Sequence, residues 1–354
     1  MRKVLLVGGC LVCLIGGLVT TALAVEYTIC DLGTPPSGSY ATPTGINNRG
    51  EVVGYSEVEQ AFLWDGTMHA LSVPNDRRSQ ALCINDVGQI GGTDYRAGQP
   101  DERRQVMWNG GQYEYLGPTP REHGETHAIN NLGWIVGTCW SDSFSNTGFL
   151  QSPRGMTNLN VQLGLQRSEA YGINDNCVVV GWFSTGGMGH AFAWDAKVGD
   201  GEVDDLGVLT GMTSSWARAI NSSGQIVGTS GTRAFLWDGT MRDLGILPGA
   251  TSSTAYDIND AGWIVGSSAP EGSTRAFLSN GSTMYDLSEL ADAGSVGWDF
   301  RVATSINNAG QIVGYGTHDG KQAAFLLTPV PEPASFLAVL CGIGALPLLR
   351  RQPR

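Results

Sequence analysis

The sequence predicts an all-β fold, a closed seven-bladed β-propeller with four antiparallel strands in each blade. An Ile-Asn pair recurs seven times at intervals of 38 to 48 residues, from Ile46-Asn47 to Ile306-Asn307, and periods of this size are typical of repeat architectures. Each repeat holds short segments with strand periodicity separated by turn signals, as a propeller blade requires. The seventh repeat lacks a fourth segment, and one unassigned copy of that segment lies near the N-terminus.

The four strands of a repeat follow one pattern, in which small residues and turn residues occupy fixed places. The first strand ends in Ile-Asn, and an Asn-Asn/Asp-x-Gly turn follows, in which Asn or Asp bonds its own backbone and Gly accepts a positive φ. The second strand reads Gly-x-Ile/Val-Val-Gly. The third resembles Ala234-Phe235-Leu236-Trp237, and a second tight turn leads to a fourth strand ending in Leu-Gly. Cys177 replaces the turn glycine of the fourth repeat, and Asn176 is the expected substitute for the left-handed residue.

The chain ends predict how the ring closes. Residues 27–33 end in Asp-Leu-Gly, the mark of a fourth strand, whereas the last repeat stops after the strand that contains Phe325. Pairing the N-terminal segment with that strand completes seven blades and protects an exposed sheet edge. We therefore expect a single closed propeller over residues 25–329, present as a monomer.

The net charge limits the partners of this propeller. The whole chain has 21 Lys and Arg against 33 Asp and Glu. Five of these basic residues and one acid lie in the terminal segments, so the repeat region holds 16 basic and 32 acidic side chains, a net charge of about -16. Such a surface repels phosphate backbones, so nucleic-acid binding is not expected. Cations and neutral glycans are not disfavoured.

No reaction can be assigned from motifs. The five histidines lack a metal-ligand spacing, and there is no Gly-x-Ser-x-Gly nucleophile elbow. The repeated Asn-Asp pairs stand where turn geometry requires them and lack the carboxylate spacing of a calcium loop. The sequence therefore predicts no catalytic residue, no metal site and no cofactor.

The two termini predict export. Residues 1–24 have a basic start, an uncharged apolar run and a small-x-small end at Ala24, the pattern of a secretory signal peptide of the Sec route. In residues 330–354, Pro331, Glu332 and Pro333 precede an apolar run over residues 334–349, which two arginines follow. A plain tail anchor is the alternative, but sixteen helical residues reach only about 24 Å, whereas the hydrocarbon core is roughly 30 Å thick.

Two resemblances follow from these motifs. The repeat, with its Ile-Asn-Asn/Asp-x-Gly-x-Val-Val-Gly and Ala-Phe-Leu-Trp elements, resembles the HAF-repeat extracellular protein family, whose His-Ala-Phe element survives at residues 190–192. The tail resembles a PEP-CTERM sorting signal. Together they imply a secreted repeat protein, processed by an exosortase-type enzyme after transient membrane contact. Its expected location is the surface or extracellular matrix of a Gram-negative-type bacterium, in association with exopolysaccharide or biofilm.

The longer variable segments predict the binding face. In a four-stranded meander, the connections between strands two and three and the crossovers between blades emerge on one face. The long segments of this chain, residues 182–189 and 316–321 among them, fall there, and insertions gathered on one face indicate a binding surface. The candidate contacts are His123, Trp140, Asp142, Trp182, Trp216, Trp298, Arg301 and His318.

Two functions remain open on the sequence. The favoured one is a non-enzymatic surface or matrix module that binds a glycan or another envelope protein through this face. The alternative is a carbohydrate-active propeller enzyme, a glycoside hydrolase or a polysaccharide lyase. The alternative requires that two carboxylates, or a histidine with an arginine or tyrosine, converge in the central funnel.

Overall fold

Seven four-stranded antiparallel sheets make up the part of the chain that the computed structural model describes, which is residues 26–35, 38–74, 77–99, 102–117, 123–140, 146–199, 202–269 and 273–330. Within six of the sheets, four consecutive strands pair in chain order. This is the predicted seven-bladed β-propeller. Among the described residues, no helix has the length and apolarity needed to cross a membrane.

The strands of the first three blades are short and follow the repeat pattern. They are β2 (Ala41–Ile46), β3 (Val52–Ser56), β4 (Ala61–Trp64) and β5 (Met68–Ala70); β6 (Arg77–Ile84), β7 (Ile90–Arg96), β8 (Arg104–Asn109) and β9 (Gln112–Tyr115); β10 (His123–Ile129), β11 (Ile135–Trp140), β12 (Thr147–Ser152) and β13 (Gly155–Asn158). A one-turn helix α1 (Leu159–Gln162) follows blade 3, capped by the Asn158 side chain.

Blades 4 to 6 continue the same order. Their strands are β14 (Ser168–Ile173), β15 (Val178–Thr185), β16 (Met188–Asp195) and β17 (Asp204–Gly207); β18 (Ser215–Ile220), β19 (Ile226–Ser230), β20 (Arg233–Trp237) and β21 (Met241–Gly245); β22 (Ser252–Ile258), β23 (Ile264–Ala269), β24 (Arg275–Ser279) and β25 (Met284–Asp286). The 3-10 helices Leu287–Glu289 and Ala293–Ser295 lead to the last blade.

The last blade joins the two ends of the repeat region. It consists of β26 (Trp298–Ile306), β27 (Ile312–His318), β28 (Lys321–Pro329) and the N-terminal β1 (Tyr27–Asp31). Strand β1 runs antiparallel to β28, with Asp31 opposite Phe325. The predicted closure by strand exchange is therefore confirmed, and it leaves no blade with three strands.

The Ile/Val-Val-Gly motif fixes the packing inside six of the seven blades, and the second blade has Ile90-Gly91-Gly92 in its place. The valines are fully buried, and in five blades the phenylalanine of the third strand lies against the glycine. In blade 1, a Cβ at Gly54 would stand 2.1 Å from the Thr42 carbonyl oxygen and 2.8 Å from the Phe62 ring. Only glycine allows the first strand and the aromatic ring to approach this closely.

A closed belt of asparagine side chains joins the blades around the channel. The Asn of each Ile-Asn pair donates from Nδ2 to the main-chain carbonyl of the next such Asn, at 3.0 to 3.1 Å, and Asn307 returns to Asn47. These side chains are 3% to 6% exposed. We call them the buried belt: Asn47, Asn85, Asn130, Asn174, Asn221, Asn259 and Asn307.

The next residue of each turn forms a second belt, at the surface. In six of the seven steps around the ring, the backbone N–H of one member donates to the side-chain oxygen of the next member. Asn and Asp alternate along most of it, so that donors face acceptors. We call this set the exposed belt: Asn48, Asp86, Asn131, Asp175, Ser222, Asp260 and Asn308. The repeated pairs thus serve turn and inter-blade structure.

Three local expectations need correction. The segments 182–189 and 316–321 are not loops, because their strands continue to two-residue turns at residues 186–187 and 319–320. The chain leaves β16 at Asp195 and enters β17 at Asp204 on the face of the short turns, so not every long connection begins and ends on the other face. Cys177, not Asn176, takes the left-handed conformation, with φ at 62°.

Candidate functional site

Every inner strand carries a β-bulge at the same place, two residues before the isoleucine of the Ile-Asn pair. The register shifts there in all seven blades, and a bulge redirects the side chain of its extra residue. All seven of these side chains line one cavity of the central channel. We call them the bulge ring: Thr44, Leu82, His127, Tyr171, Arg218, Tyr256 and Thr304.

The channel has two chambers. The isoleucines Ile46, Ile84, Ile129, Ile173 and Ile220 line both of them and separate the two. On one side lie the buried and exposed belts, at the face of the short turns, which we call the turn face. On the other side lies the bulge ring, in a cavity of about 240 Å³ toward the opposite face, which we call the loop face. The bulge-ring chamber is the candidate site.

Large polar side chains of the bulge ring gather on blades 3 to 6. The Arg218 guanidinium carbon lies 5.9 Å from the centre of the Tyr171 ring and 5.3 Å from the centre of the Tyr256 ring. The His127 ring lies 5.1 Å from that of Tyr171. A histidine, an arginine and two tyrosines therefore converge in the channel, and cation–π attraction holds the guanidinium between the two rings.

Most of these groups are held by neighbouring side chains. The Tyr171 hydroxyl donates to Glu169, and His127 Nε2 lies 3.2 Å from Thr138 Oγ1. Tyr256 accepts a 3.5 Å hydrogen bond from Ser267. Arg218 differs, because its Nε is buried and has no hydrogen-bond partner.

Burial controls the titration of the chamber. It is the main cause that raises the pKa of Tyr171 far above its ordinary value, and the nearby Glu169 carboxylate raises it further. Burial also lowers the pKa of His127; Glu125 and Glu169 oppose this shift, and Arg218 adds to it. At neutral pH the phenol is therefore protonated and the imidazole is uncharged.

Two of the sequence-predicted contacts lie beside this chamber. The Trp182 side chain, opposite Glu169 across the blade-4 ladder, hydrogen-bonds to Tyr171. Trp216 stands two residues before Arg218 on the same inner strand. Trp182 was expected on a loop but lies on strand β15, and Trp216 lies on the inner strand β18.

The other described candidates lie at the loop-face ends of blades 3 and 7. His123 pairs with Trp140 across the ladder of blade 3. In blade 7, the Trp298 ring stacks on His318, with centroids 4.6 Å apart and an interplanar angle of 11°, and Arg301 bonds to Asp299 at 3.0 Å. Outside the described residues lie Asp142 and the processing positions Ala24, Pro331, Glu332 and Pro333.

A buried carboxylate next to the bulge ring has a structural role. Asp257 accepts hydrogen bonds from Ser305 Oγ at 2.6 Å and from the Ile306 N–H at 3.0 Å, so it links blade 6 to blade 7. Its pKa is raised because it is buried. Within the described ranges, no cluster of three or more His, Cys, Asp or Glu side chains has a metal-binding arrangement.

Sequence reasoning did not single out the bulge ring as a site. A signal was nevertheless present, because the residue type at this inner-strand position changes freely between repeats while its two neighbours stay mostly small. Aligning the seven repeats on Ile-Asn brings Thr, Leu, His, Tyr, Arg, Tyr and Thr into register there. What no alignment of repeats shows is that a bulge turns this position into the channel.

The comparisons with known proteins support the fold alone. The sequence matches no family model and no curated protein. Among solved structures, the chain is similar to the extracellular domain of a hybrid two component system from B. thetaiotaomicron, with 9% identity and a TM-score of 0.54 over 85% of this chain and 39% of that one. It is also similar to an oligogalacturonate lyase in complex with manganese, with 13% identity and a TM-score of 0.52 over 87% and 97%.

A further match is TolB from Acinetobacter baumannii, with 13% identity and a TM-score of 0.47 over 80% of this chain. The chain spans 63% of that TolB chain. The two matches with TM-scores above 0.5 share the fold of this chain, and at identities of 9% and 13% they carry no activity over to it.

Proposed function

We propose that this chain is an exported, non-enzymatic binding module of the cell surface or extracellular matrix, and that it binds saccharide through the bulge-ring chamber at the loop face. One observation carries the proposal: Tyr171, Arg218 and Tyr256 project into one chamber from three adjacent blades. Aromatic faces pack against the C–H surfaces of sugar rings, and the N–H edge of arginine donates to their oxygens. The mixture of apolar rings and few polar groups is typical of small-molecule sites.

The titration of Tyr171 and the contacts of Glu169 support a role in binding rather than catalysis for these two groups. A general base works best when its pKa is near the working pH. The pKa of Tyr171 is raised away from neutrality, and the Glu169 carboxylate already accepts hydrogen bonds from Tyr171 and from Asn146. These groups are engaged with each other, which favours a fixed recognition surface.

The experiment is saccharide binding to the mature protein. Tyr171→Ala should weaken binding by roughly tenfold, the effect of about 1.4 kcal/mol, whereas Tyr285→Ala, on the outer strand β25, should leave it unchanged. Binding would be followed by calorimetry after selection of a ligand on a glycan array. Equal affinity of the parent and Tyr171→Ala would place saccharide binding elsewhere on the chain.

The export part of the proposal rests on the termini and on their resemblance to a signal peptide and a PEP-CTERM signal. Replacing Pro331, Glu332 and Pro333 by alanine leaves the apolar run intact, so a simple tail anchor would be unaffected. If the tail is a sorting signal, the variant should accumulate unprocessed in the inner membrane of its native host. Normal size and normal release of that variant would contradict sorting.

A second candidate function is a polysaccharide lyase, favoured by the 5.1 Å contact of His127 with Tyr171 beside Arg218. A lyase removes a proton next to a carboxylate and needs a base together with a cation that neutralises the developing charge. Uncharged His127 is the base candidate. Incubating the mature protein with uronate polysaccharides and measuring new unsaturated or reducing ends decides between the two, because a pure binding module releases none.

A further inference from the structure

Arg218 is a cation whose hydrogen-bonding capacity is unused in the described structure. None of the ion pairs among the described residues includes it, although Arg103 pairs with Glu125 nearby. Its Nε is buried without a partner. A buried polar group without a partner is costly and calls for an explanation, and the residue as a whole is only half-buried, so the rest of the guanidinium can take up an acceptor from the chamber.

We propose that Arg218 forms a carboxylate-binding subsite in the bulge-ring chamber, and that the saccharide bound there carries a uronic acid. The inference rests on the saccharide-binding function proposed above and adds its chemical class. Arginine presents N–H donors in a planar fork that matches a carboxylate with two parallel hydrogen bonds. Tyr171 and Tyr256 keep the guanidinium in place by contact with their rings, so little side-chain freedom is lost when a carboxylate binds.

The neighbouring carboxylates do not compete for Arg218. Glu125 is in its ion pair with Arg103, and the two oxygens of Glu169 each accept one hydrogen bond, from Asn146 and from Tyr171. The only cation of the bulge ring is therefore available for an incoming anion. A carboxylate adds a single negative charge, whereas a phosphate group would add about two, which suits one guanidinium less well.

The charge and the size of the site limit how the ligand binds. The repeat region carries a net charge of about -16, which disfavours a polyanionic chain lying along the surface. The chamber of about 240 Å³ is smaller than the 300 to 1,000 Å³ of sites for drug-sized molecules. Both facts point to the end of a chain, with one uronate residue entering the channel from the loop face.

The test uses three disaccharides that differ in one group: cellobiouronic acid, its methyl ester and cellobiose. Titration calorimetry of the full mature protein should show the acid binding at least tenfold more tightly than the other two. Arg218→Gln should abolish this preference, and Arg218→Lys should reduce it, because lysine keeps the charge but not the fork. The matched control is Arg242→Gln, which removes the same charge from blade 5 at a surface ion pair with Asp238 and should leave the preference unchanged.

The outcomes separate the inference from the function on which it rests. Equal affinity for acid, ester and neutral sugar, or an unchanged preference in both Arg218 variants, overturns the carboxylate subsite and leaves saccharide binding standing. No binding of any sugar overturns both. A fourth ligand, a short peptide with a free C-terminal carboxylate, covers the other source of this group, and tighter binding of the peptide than of the uronate would also overturn the inference. Melting curves of both Arg218 variants establish that they are folded.

Discussion

The exposed belt has one weak step, and repairing it should stabilise the propeller. Asp86 has an asparagine on both sides in the belt. Asp175 and Asp260 each have an asparagine on one side only, because Ser222 stands between them. The Ser222 side chain is short and hydrogen-bonds to Asp260. By contrast, Asn131 spans two aspartates, with Nδ2 3.0 Å from Asp86 Oδ2 and 2.9 Å from Asp175 Oδ2. Ser222→Asn should copy that arrangement at the weak step.

The expected gain follows from the bonds of Asn131. A new side-chain amide can donate to both flanking carboxylates and accept from the Asp175 N–H, as Asn131 accepts from the Asp86 N–H at 2.8 Å. Each bond contributes about 0.5 to 1 kcal/mol, and the ordering of the side chain and the loss of the serine bond offset part of this. The net gain should be about 1 kcal/mol, which raises Tm by about 2 °C in a domain of this size.

The matched control is Ser222→Asp, which has nearly the same shape and the opposite electrostatic effect. It places a third carboxylate between Asp175 and Asp260, where repulsion at about 4 Å amounts to roughly 1 kcal/mol in a solvent-like environment. Tm should fall, and added salt should restore part of the loss. Calorimetric scans of the parent and both variants test this. Shifts of the same sign in both variants would refute the alternation argument.

Three further predictions concern the blades, the closure and the channel. Gly54→Ala should cost about 3 kcal/mol or more of unfolding free energy, because the new Cβ meets a carbonyl oxygen at 2.1 Å, whereas Gly45→Ala makes only ordinary contacts beyond 3.6 Å and should be nearly neutral in denaturant titrations. Deleting Tyr27–Asp31 exposes the edge of the last blade and should cause aggregation or loss of the cooperative transition, so parent-like melting would contradict strand closure. Burial lowers the pKa of His127 below its ordinary 6.5, so the unfolded chain binds the additional proton and stability falls as pH drops below about 6.5. His127→Gln should flatten the decline between pH 7 and 5 in urea titrations, and an unchanged slope would assign it to other groups.

The architecture could be predicted from sequence because its determinants are local and repeated. The turn Asn-x-x-Gly and the Ile/Val-Val-Gly strand each recur in six of the seven repeats, so chance matches are excluded, and one surplus fourth strand was enough to predict the pairing of Asp31 with Phe325. Strand ends were harder. Residues 182–189 are rich in Gly and predicted a loop, yet pairing extended both strands until Gly186 and Gly187, both with positive φ, turned the chain.

The candidate site escaped prediction for a geometric reason. The residue at the bulge has no characteristic type. The bulge occurs where a carbonyl of the first strand passes close to the glycine of the second strand, so the glycine sets its position. Trp182 and Trp216 were identified from their place in the repeat, but their neighbour Arg218 was not. Which side chains share a channel depends on the cross-blade arrangement, and a single sequence does not contain those distances.

The two ends of the channel show how one repeat separates structure from recognition. At the turn face, each asparagine of the buried belt must bond to the next blade, so a change in one repeat would leave a buried donor or carbonyl without a partner, a cost of about 1 to 3 kcal/mol. The bulge ring carries no bond that every blade must make to the next, although a single member such as Thr44 does donate to the Ala81 carbonyl of the neighbouring blade at 2.8 Å. Seven positions can therefore differ without disturbing the blades that carry them. That freedom is what allows Arg218 to stand between two tyrosines on one side of the channel while Thr44 and Thr304 occupy the other.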